Sequence, residues 1–120
     1  MKNKTLVLGA SENPDRYSNK AILKLRSKGH DVVAIGKRTG KVDGVEIQTQ
    51  QVKTDDIDTV TLYLNPLHQE PYYDYIVSLK PRRIIFNPGA ENEDLERIAA
   101  KEKINILEAC TLVLLGTGQY

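Results

Sequence analysis

Short apolar runs alternate with segments of helical periodicity, and this alternation limits the possible folds more than any other feature of the chain. The clearest runs lie at residues 5–8, 32–35, 59–64, 83–86 and 104–107. Continuous runs of this kind are typical of strands buried on both faces. Helices between such strands favour a parallel sheet that is covered on both sides.

We therefore predict an α/β fold: a three-layer, Rossmann-like, doubly wound parallel sheet of about five strands in the order 3-2-1-4-5. The length of 120 residues fits one domain over residues 1–120. Residues 39–58 are hard to interpret, although the alternation at 45–47 favours a short edge strand. Ligands bind such sheets at the carboxyl ends of the strands, where the strand order reverses. Here that crevice falls between the strands that end at Gly9 and Leu64.

Composition excludes several classes of partner. The formal net charge is +1, so no overall field would attract nucleic acid or anionic lipid. No apolar run approaches the ~20 residues that span a bilayer. Cys110 is the single cysteine, which excludes an internal disulfide, and no Cys/His cluster has zinc spacing. We expect a cytoplasmic protein without nucleic-acid, membrane or metal binding.

The loop after the first strand is unusually long and rich in polar residues. Gly9 permits a tight turn and a close approach by a ligand, and Ser18 suits the N-cap of the next helix. The free N–H groups at that helix start predict a phosphate site. Ser11, Asn13 and Arg16 can bond to phosphate oxygens. The dinucleotide fingerprint G-x-G-x-x-G is absent, and a long loop with capping residues but no ligand is the alternative.

Two cations, Lys37 and Arg38, follow the second strand. NAD-binding domains carry an acidic residue there, which bonds to the ribose hydroxyls. A Lys-Arg pair instead suits a phosphate on the ribose. Coenzyme A, with a 3′-phosphate, and NADP, with a 2′-phosphate, both meet that requirement, and a solvated basic turn is the alternative.

The sequence resembles the small, stand-alone CoA-binding domain proteins, which share the fold of the CoA-binding domain of the succinyl-CoA synthetase alpha subunit. The resemblance covers nearly the whole chain and is carried by Gly9–Ser11, Asp15–Ser18, Gly29–Val33, Asp58–Val60, Leu64–Pro66 and Cys110. One segment departs from the family. Residues 34–38 replace a Pro-Val-Asn-Pro-like end of the second strand, which alters the expected adenine contacts.

The resemblance and the loop positions together predict cofactor contacts in four loops. The expected contacts are Gly9, Ala10, Ser11, Asn13, Arg16, Tyr17 and Ser18, then Gly36, Lys37 and Arg38, then Leu64, Asn65 and Pro66, and finally Asn87, Pro88 and Gly89. The resemblance implies coenzyme A or an acyl-CoA as the ligand, with NADP as the second choice.

No catalytic constellation is evident. The synthetase's phosphohistidine lies in a second domain that has no counterpart here, so its ligase chemistry does not carry over. His68 would need Glu70 or Asp74 to position it as a general base, and an exposed polar residue is the simpler interpretation. Cys110 could exchange with the CoA thiol, or fill a small buried space.

We therefore expect a non-catalytic CoA-binding module that acts alone, with a partner enzyme or as a homo-oligomer. The alternatives are an NADP-dependent oxidoreductase domain and a regulatory protein that has lost its ligand.

Overall fold

A computed structural model describes residues 3–120, which form seven strands and five α-helices. The strands are β1 (Thr5–Ala10), β2 (Val32–Gly36), β3 (Gly40–Val42), β4 (Val45–Gln48), β5 (Thr59–Leu62), β6 (Arg83–Phe86) and β7 (Asn105–Glu108). The helices are α1 (Tyr17–Ser27), α2 (Pro66–Gln69), α3 (Tyr73–Ser78), α4 (Glu93–Lys101) and α5 (Thr111–Gly116), with a 3₁₀ turn at Glu70–Tyr72.

The strands form one sheet in the order β3-β4-β2-β1-β5-β6-β7. Every neighbouring pair is parallel except β3 with β4. The predicted doubly wound α/β sheet is confirmed, and its predicted order corresponds to the run β4-β2-β1-β5-β6. The strand count is seven rather than about five. The predicted run at residues 104–107 forms β7 on one side of the five ordered strands, and β3, which was not predicted, adds to the other side.

The strand at residues 45–47, predicted to lie at an edge, is internal because β3 covers it. The turn between the two strands consists of Asp43 and Gly44, with φ angles of 48° and 79°. Two successive positive φ values are the mark of a type I′ turn, whose twist suits a two-residue hairpin. This hairpin adds β4 and then β3 to the sheet on the outer side of β2.

Both faces of the sheet are buried at the central strands β1, β5 and β6, which explains their continuous apolar runs. The run at residues 104–107, predicted to be buried, differs because β7 at the edge of the sheet is exposed. One face packs against α3 and α4 through a cluster that includes Leu6, Leu8, Leu62, Ile76, Phe86 and Leu95. The other face packs against α1 and α5 through a cluster that includes Val7, Ile22, Leu25, Ala34, Ile47 and Leu115. No helix formed by residues 3–120 has the length and apolar character needed to cross a bilayer.

A buried arginine closes the amino edge of the sheet, opposite the predicted ligand crevice. Arg83 is 8% exposed, and its Nε donates to Thr59 Oγ1 at 2.8 Å. Its guanidinium also lies 4.4 Å from the centre of the Tyr120 ring and donates to the Tyr120 carbonyl. The ring of His30 meets the same tyrosine edge-on. This cluster anchors the last residues of the chain to the sheet.

Candidate ligand site at the carboxyl edge of the sheet

Two glycines allow the carboxyl ends of the central strands to close against one another. Gly9 has a φ of +95°, and a Cβ there would lie 3.1–3.3 Å from atoms of Tyr63 and Leu64. A Cβ on Gly36 would collide with the Ala10 carbonyl oxygen. The space that these glycines leave open is therefore filled by neighbouring segments of the protein itself, which fixes where the loops emerge.

Short polar side chains shape the loop after β1. Ser11 Oγ accepts a hydrogen bond from Asn13 N at 3.0 Å, and Asn13 Oδ1 accepts one from Asp15 N at 2.9 Å. Asn19 Nδ2 donates to the Ser11 carbonyl at 3.0 Å. The Ser11 hydroxyl hydrogen and the Asn13 amide group remain available as donors, because in the described part of the chain neither has an acceptor.

Glu12, which the sequence reasoning did not single out, reaches from this loop across to the start of β3. Its Oε2 accepts a hydrogen bond from Lys41 N at 2.8 Å. Its side chain lies directly over Gly40, where a Cβ would come within 2.5 Å of Glu12 Cγ. No local pattern in the sequence indicates this contact, which spans 29 positions.

α1 starts two residues earlier than predicted. Arg16, not Ser18, occupies the N-cap, and the Arg16 side chain forms no capping hydrogen bond within the described residues. Ser18 is instead 3% exposed within the first turn. The loop turn closed by the bond from Arg16 N to the Asn13 carbonyl brings the chain into the helix early. The Tyr17 and Ser18 N–H groups have no acceptor among residues 3–120, because the helix itself cannot supply one.

Lys37 and Arg38 leave β2 immediately after Gly36 and are exposed. Neither forms a hydrogen bond or an ion pair within residues 3–120. Because Gly36 abuts Ala10, the two cations emerge beside the loop that follows β1. Arg16 is likewise exposed. The structure thus brings free cationic groups to the same edge as the free N–H groups of α1.

The segment after β5 forms the other side of this edge. Asn65 caps α2, since its Oδ1 accepts from His68 N at 3.1 Å, and Pro66 takes the first helical position. Leu64 is half-buried against Gly9, and Leu67 is 86% exposed. This side of the edge is therefore more apolar than the side next to β2.

The side chain of Asn87 is buried and fully hydrogen-bonded within the protein. Its Nδ2 donates to Thr61 Oγ1 at 2.7 Å and to the Leu62 carbonyl at 2.9 Å. Its Oδ1 accepts from Thr111 N at 2.8 Å. With 2% exposure, this amide ties β5, β6 and the start of α5 together. The Asn87 side chain therefore has a structural role, and Pro88 and Gly89 beside it are exposed. The cofactor contacts expected at these three residues stay predictions.

A second buried amide, Gln69, joins the loops that follow β5 and β6. Its Nε2 donates to the carbonyls of Leu64 at 2.8 Å and Ala90 at 2.7 Å. Its Oε1 accepts from Asn92 Nδ2 at 2.9 Å. Gln69 has no exposed surface, so the network is fully internal. The sequence gives no sign of this role, since a glutamine in a short helix is ordinarily exposed.

Three titratable residues near this edge, His68, Cys110 and Tyr63, have different surroundings. His68 is exposed and forms no side-chain contact with Glu70 or Asp74 within the described residues. Cys110 is half-buried at the N-cap of α5. Burial strongly raises the pKa of Tyr63, whose hydroxyl has no well-aligned hydrogen-bond partner in residues 3–120. That hydroxyl is a neutral group near neutral pH.

Two carboxylates meet farther along the same edge. Partial burial raises the pKa of Glu96 on α4, and the neighbouring Glu108 carboxyl at the end of β7 adds to this effect. No group of three or more His, Cys, Asp or Glu residues in the described chain is arranged to hold a metal ion. The edge therefore offers anion-binding groups on one side and this separate acidic pair on the other.

Comparisons with known proteins agree with this architecture. A family model described as a CoA binding domain matches residues 3–116. A crystal structure of an uncharacterized protein is 44% identical, with a TM-score of 0.97, over 100% of this chain and 99% of that one.

More distant structures share the fold. A hypothetical protein from Pyrococcus horikoshii OT3 is 21% identical with a TM-score of 0.85, over 93% of this chain and 80% of that one. A conserved hypothetical protein from Pyrococcus furiosus is 24% identical with a TM-score of 0.80, over 92% and 97%. No curated protein matches the sequence. Since the family model spans nearly all described residues, the chain belongs to the CoA binding domain family.

Proposed function

We propose that this protein binds coenzyme A or an acyl-CoA at the carboxyl edge of its sheet, as a nucleotide-binding module without a catalytic step of its own. One observation carries the assignment of the ligand within this family. Lys37 and Arg38 are exposed and unpaired in the described chain, at the position where NAD-binding domains carry an acid. Such a pair suits the 3′-phosphate of the CoA ribose.

The pyrophosphate of the ligand would occupy the start of α1. The N–H groups of Tyr17 and Ser18 are free there, and the positive end of the helix dipole favours an anion. The Ser18 hydroxyl, which has no partner among residues 3–120, supplies a third donor. Arg16 adds a guanidinium that can contact two phosphate oxygens at once.

The apolar parts of the ligand would follow the segment after β5. Leu64 and the strongly exposed Leu67 present aliphatic surface there, and Tyr17 is 69% exposed at the start of α1. A pantetheine arm lying along this surface would cover apolar area that otherwise faces water.

The test compares CoA with dephospho-CoA, which lacks only the 3′-phosphate, by isothermal titration calorimetry. The double variant Lys37→Ala/Arg38→Ala should bind CoA about tenfold to a hundredfold more weakly, because charge-assisted hydrogen bonds are worth about 1.5–3 kcal/mol. Its affinity for dephospho-CoA should change little. The control variant Arg26→Ala/Lys28→Ala removes the same charge from exposed residues at the opposite end of α1 and should leave both affinities unchanged.

Equal loss of both ligands in the Lys37→Ala/Arg38→Ala variant would contradict the phosphate role. Tighter binding of NADP than of CoA by the parent protein would replace the proposal with a dinucleotide site. Failure to bind any of the four ligands CoA, dephospho-CoA, NADP and NAD would mean that the fold is retained without its ligand.

A further inference from the structure

The Glu12 carboxylate joins the loop after β1 to a segment that is distant in sequence. The other side-chain hydrogen bonds of residues 11–16 in the described chain join positions no more than eight apart. The bond from Lys41 N to Glu12 Oε2 instead joins positions 29 apart. Local bonds shape the loop, but this bond determines where its tip lies relative to the segment after β2.

The Glu12 carboxylate packs over Gly40, in the space that a Cβ would occupy. The φ of Gly40 lies outside the left-handed region, so the backbone conformation does not itself require glycine. The reason for glycine is space, since a Cβ would come within 2.5 Å of Glu12 Cγ and 2.8 Å of Glu12 Oε1. An alanine at this position would therefore displace the Glu12 side chain while leaving the backbone of β3 free to keep its shape.

The amide that Glu12 accepts from lies on the free edge of the sheet. Val42 pairs with Val45 across the two-residue turn, and Lys41 pairs with Glu46. Residues in an antiparallel pair alternate between hydrogen-bonded and non-hydrogen-bonded positions, so the Lys41 N–H points away from β4. Without Glu12 this edge group would be left to water.

We propose that Glu12 is a positioning residue, and that its bond to Lys41 N over Gly40 forms a latch holding the loop after β1 against the segment that carries Lys37 and Arg38. The latch fixes the distance between the helix-start phosphate site and the ribose-phosphate site. This last statement rests on the proposed function. The hydrogen bond is what the latch requires, because Glu12 forms no ion pair within residues 3–120.

The negative charge of Glu12 should lower the affinity for a phosphorylated ligand, whereas its hydrogen bond to Lys41 N should raise that affinity by ordering the loop. A carboxylate in the loop before α1, bonded to the segment that follows Lys37 and Arg38, lowers the attraction of that region for phosphate. Glutamine can accept the same bond from Lys41 N without this charge. Glu12→Gln should therefore preserve the latch and bind CoA as tightly as the parent or more tightly, with the gain largest at low ionic strength.

The latch itself is tested without any ligand, by amide hydrogen exchange at Lys41 and by urea unfolding. Glu12→Ala should accelerate exchange of this amide about tenfold or more, because it removes a hydrogen bond to a charged group. Gly40→Ala should do the same by displacement. In the Glu12→Ala/Gly40→Ala double variant the second substitution should have no further effect, which is the non-additivity expected of two residues in contact. Additive effects, or unchanged exchange in Glu12→Ala, would overturn the latch.

The binding role is tested by titrating CoA into the same variants. Glu12→Ala and Gly40→Ala should each bind about tenfold more weakly, because the loop must then be ordered when the ligand binds. Glu12→Gln should restore parental affinity. Weakening in Glu12→Gln equal to that in Glu12→Ala would refute the positioning role. If the parent protein does not bind CoA, the proposed function fails, while the exchange experiment still decides whether the latch exists.

Discussion

Replacing Asn87 with alanine should destabilise the protein rather than merely weaken a ligand. The substitution removes three hydrogen bonds from a side chain that is 2% exposed. It also leaves the Leu62 carbonyl and the Thr111 N–H buried without their partner. At about 1 kcal/mol for each bond, the free energy of unfolding should fall by about 3 kcal/mol. For a domain of this size that corresponds to a decrease in Tm of about 12 °C.

Urea unfolding followed by circular dichroism, together with a thermal scan, measures this loss directly. Asn105→Ala provides the matched control, because Asn105 is an exposed asparagine on β7 and its replacement should change stability by less than about 0.5 kcal/mol. A loss below about 1 kcal/mol in Asn87→Ala, accompanied by a large loss of CoA affinity, would refute the structural role and return this residue to the ligand site.

Two further perturbations follow from contacts at the same edge. Gly36→Ala should lower the unfolding free energy by about 2 kcal/mol or more, because its Cβ would collide with the Ala10 carbonyl oxygen; unchanged urea unfolding would contradict this packing. Glu96→Gln should raise stability by about 0.5 kcal/mol at pH 7, because partial burial and Glu108 raise the pKa of Glu96 and so disfavour its charged form in the folded state. That gain should vanish as the pH falls below the ordinary glutamate pKa of 4.5, where Glu96 is protonated in both states, and a gain that persists at pH 3 would show another cause.

The central strands could be predicted because each one is marked by its own continuous run of apolar residues. A strand buried on both faces must be apolar throughout, so β1, β5 and β6 could be identified without knowing what covers them. The strand at residues 45–47 was predicted as β4, but its hairpin partner β3 was missed because β3 is short and contains Lys41. The turn between the two strands did carry a readable pattern, since Asp43-Gly44 between valines is typical of a type I′ hairpin.

The loops of the candidate site could be located from the glycines and cations at the ends of strands. The hydrogen bonds between residues distant in sequence could not be predicted. Ser18 was predicted to be the N-cap because serine is a preferred residue at that position. The turn formed by Ser11 and Asn13 instead starts the helix earlier, with Arg16 as the N-cap. Gln69 and Glu12 contact groups that lie 21 and 29 positions away. Contacts of that kind leave no periodic pattern, so only the folded chain reveals them.

The side-chain amide of Gln69 has a consequence for the mobility of the segments that follow β5 and β6. Its amide nitrogen donates one hydrogen bond to Leu64 and another to Ala90, in the segments after β5 and β6, so a shift of one carbonyl relative to the other would break one of the two bonds. The segments that follow β5 and β6 are therefore expected to move together. A molecule docking there meets a surface that is already ordered, and little conformational entropy remains to be lost on that side. Under the proposed function, adaptation to different ligands would fall to the opposite side of the edge, where the side chains of Arg16, Lys37 and Arg38 form no hydrogen bond or ion pair within the described chain.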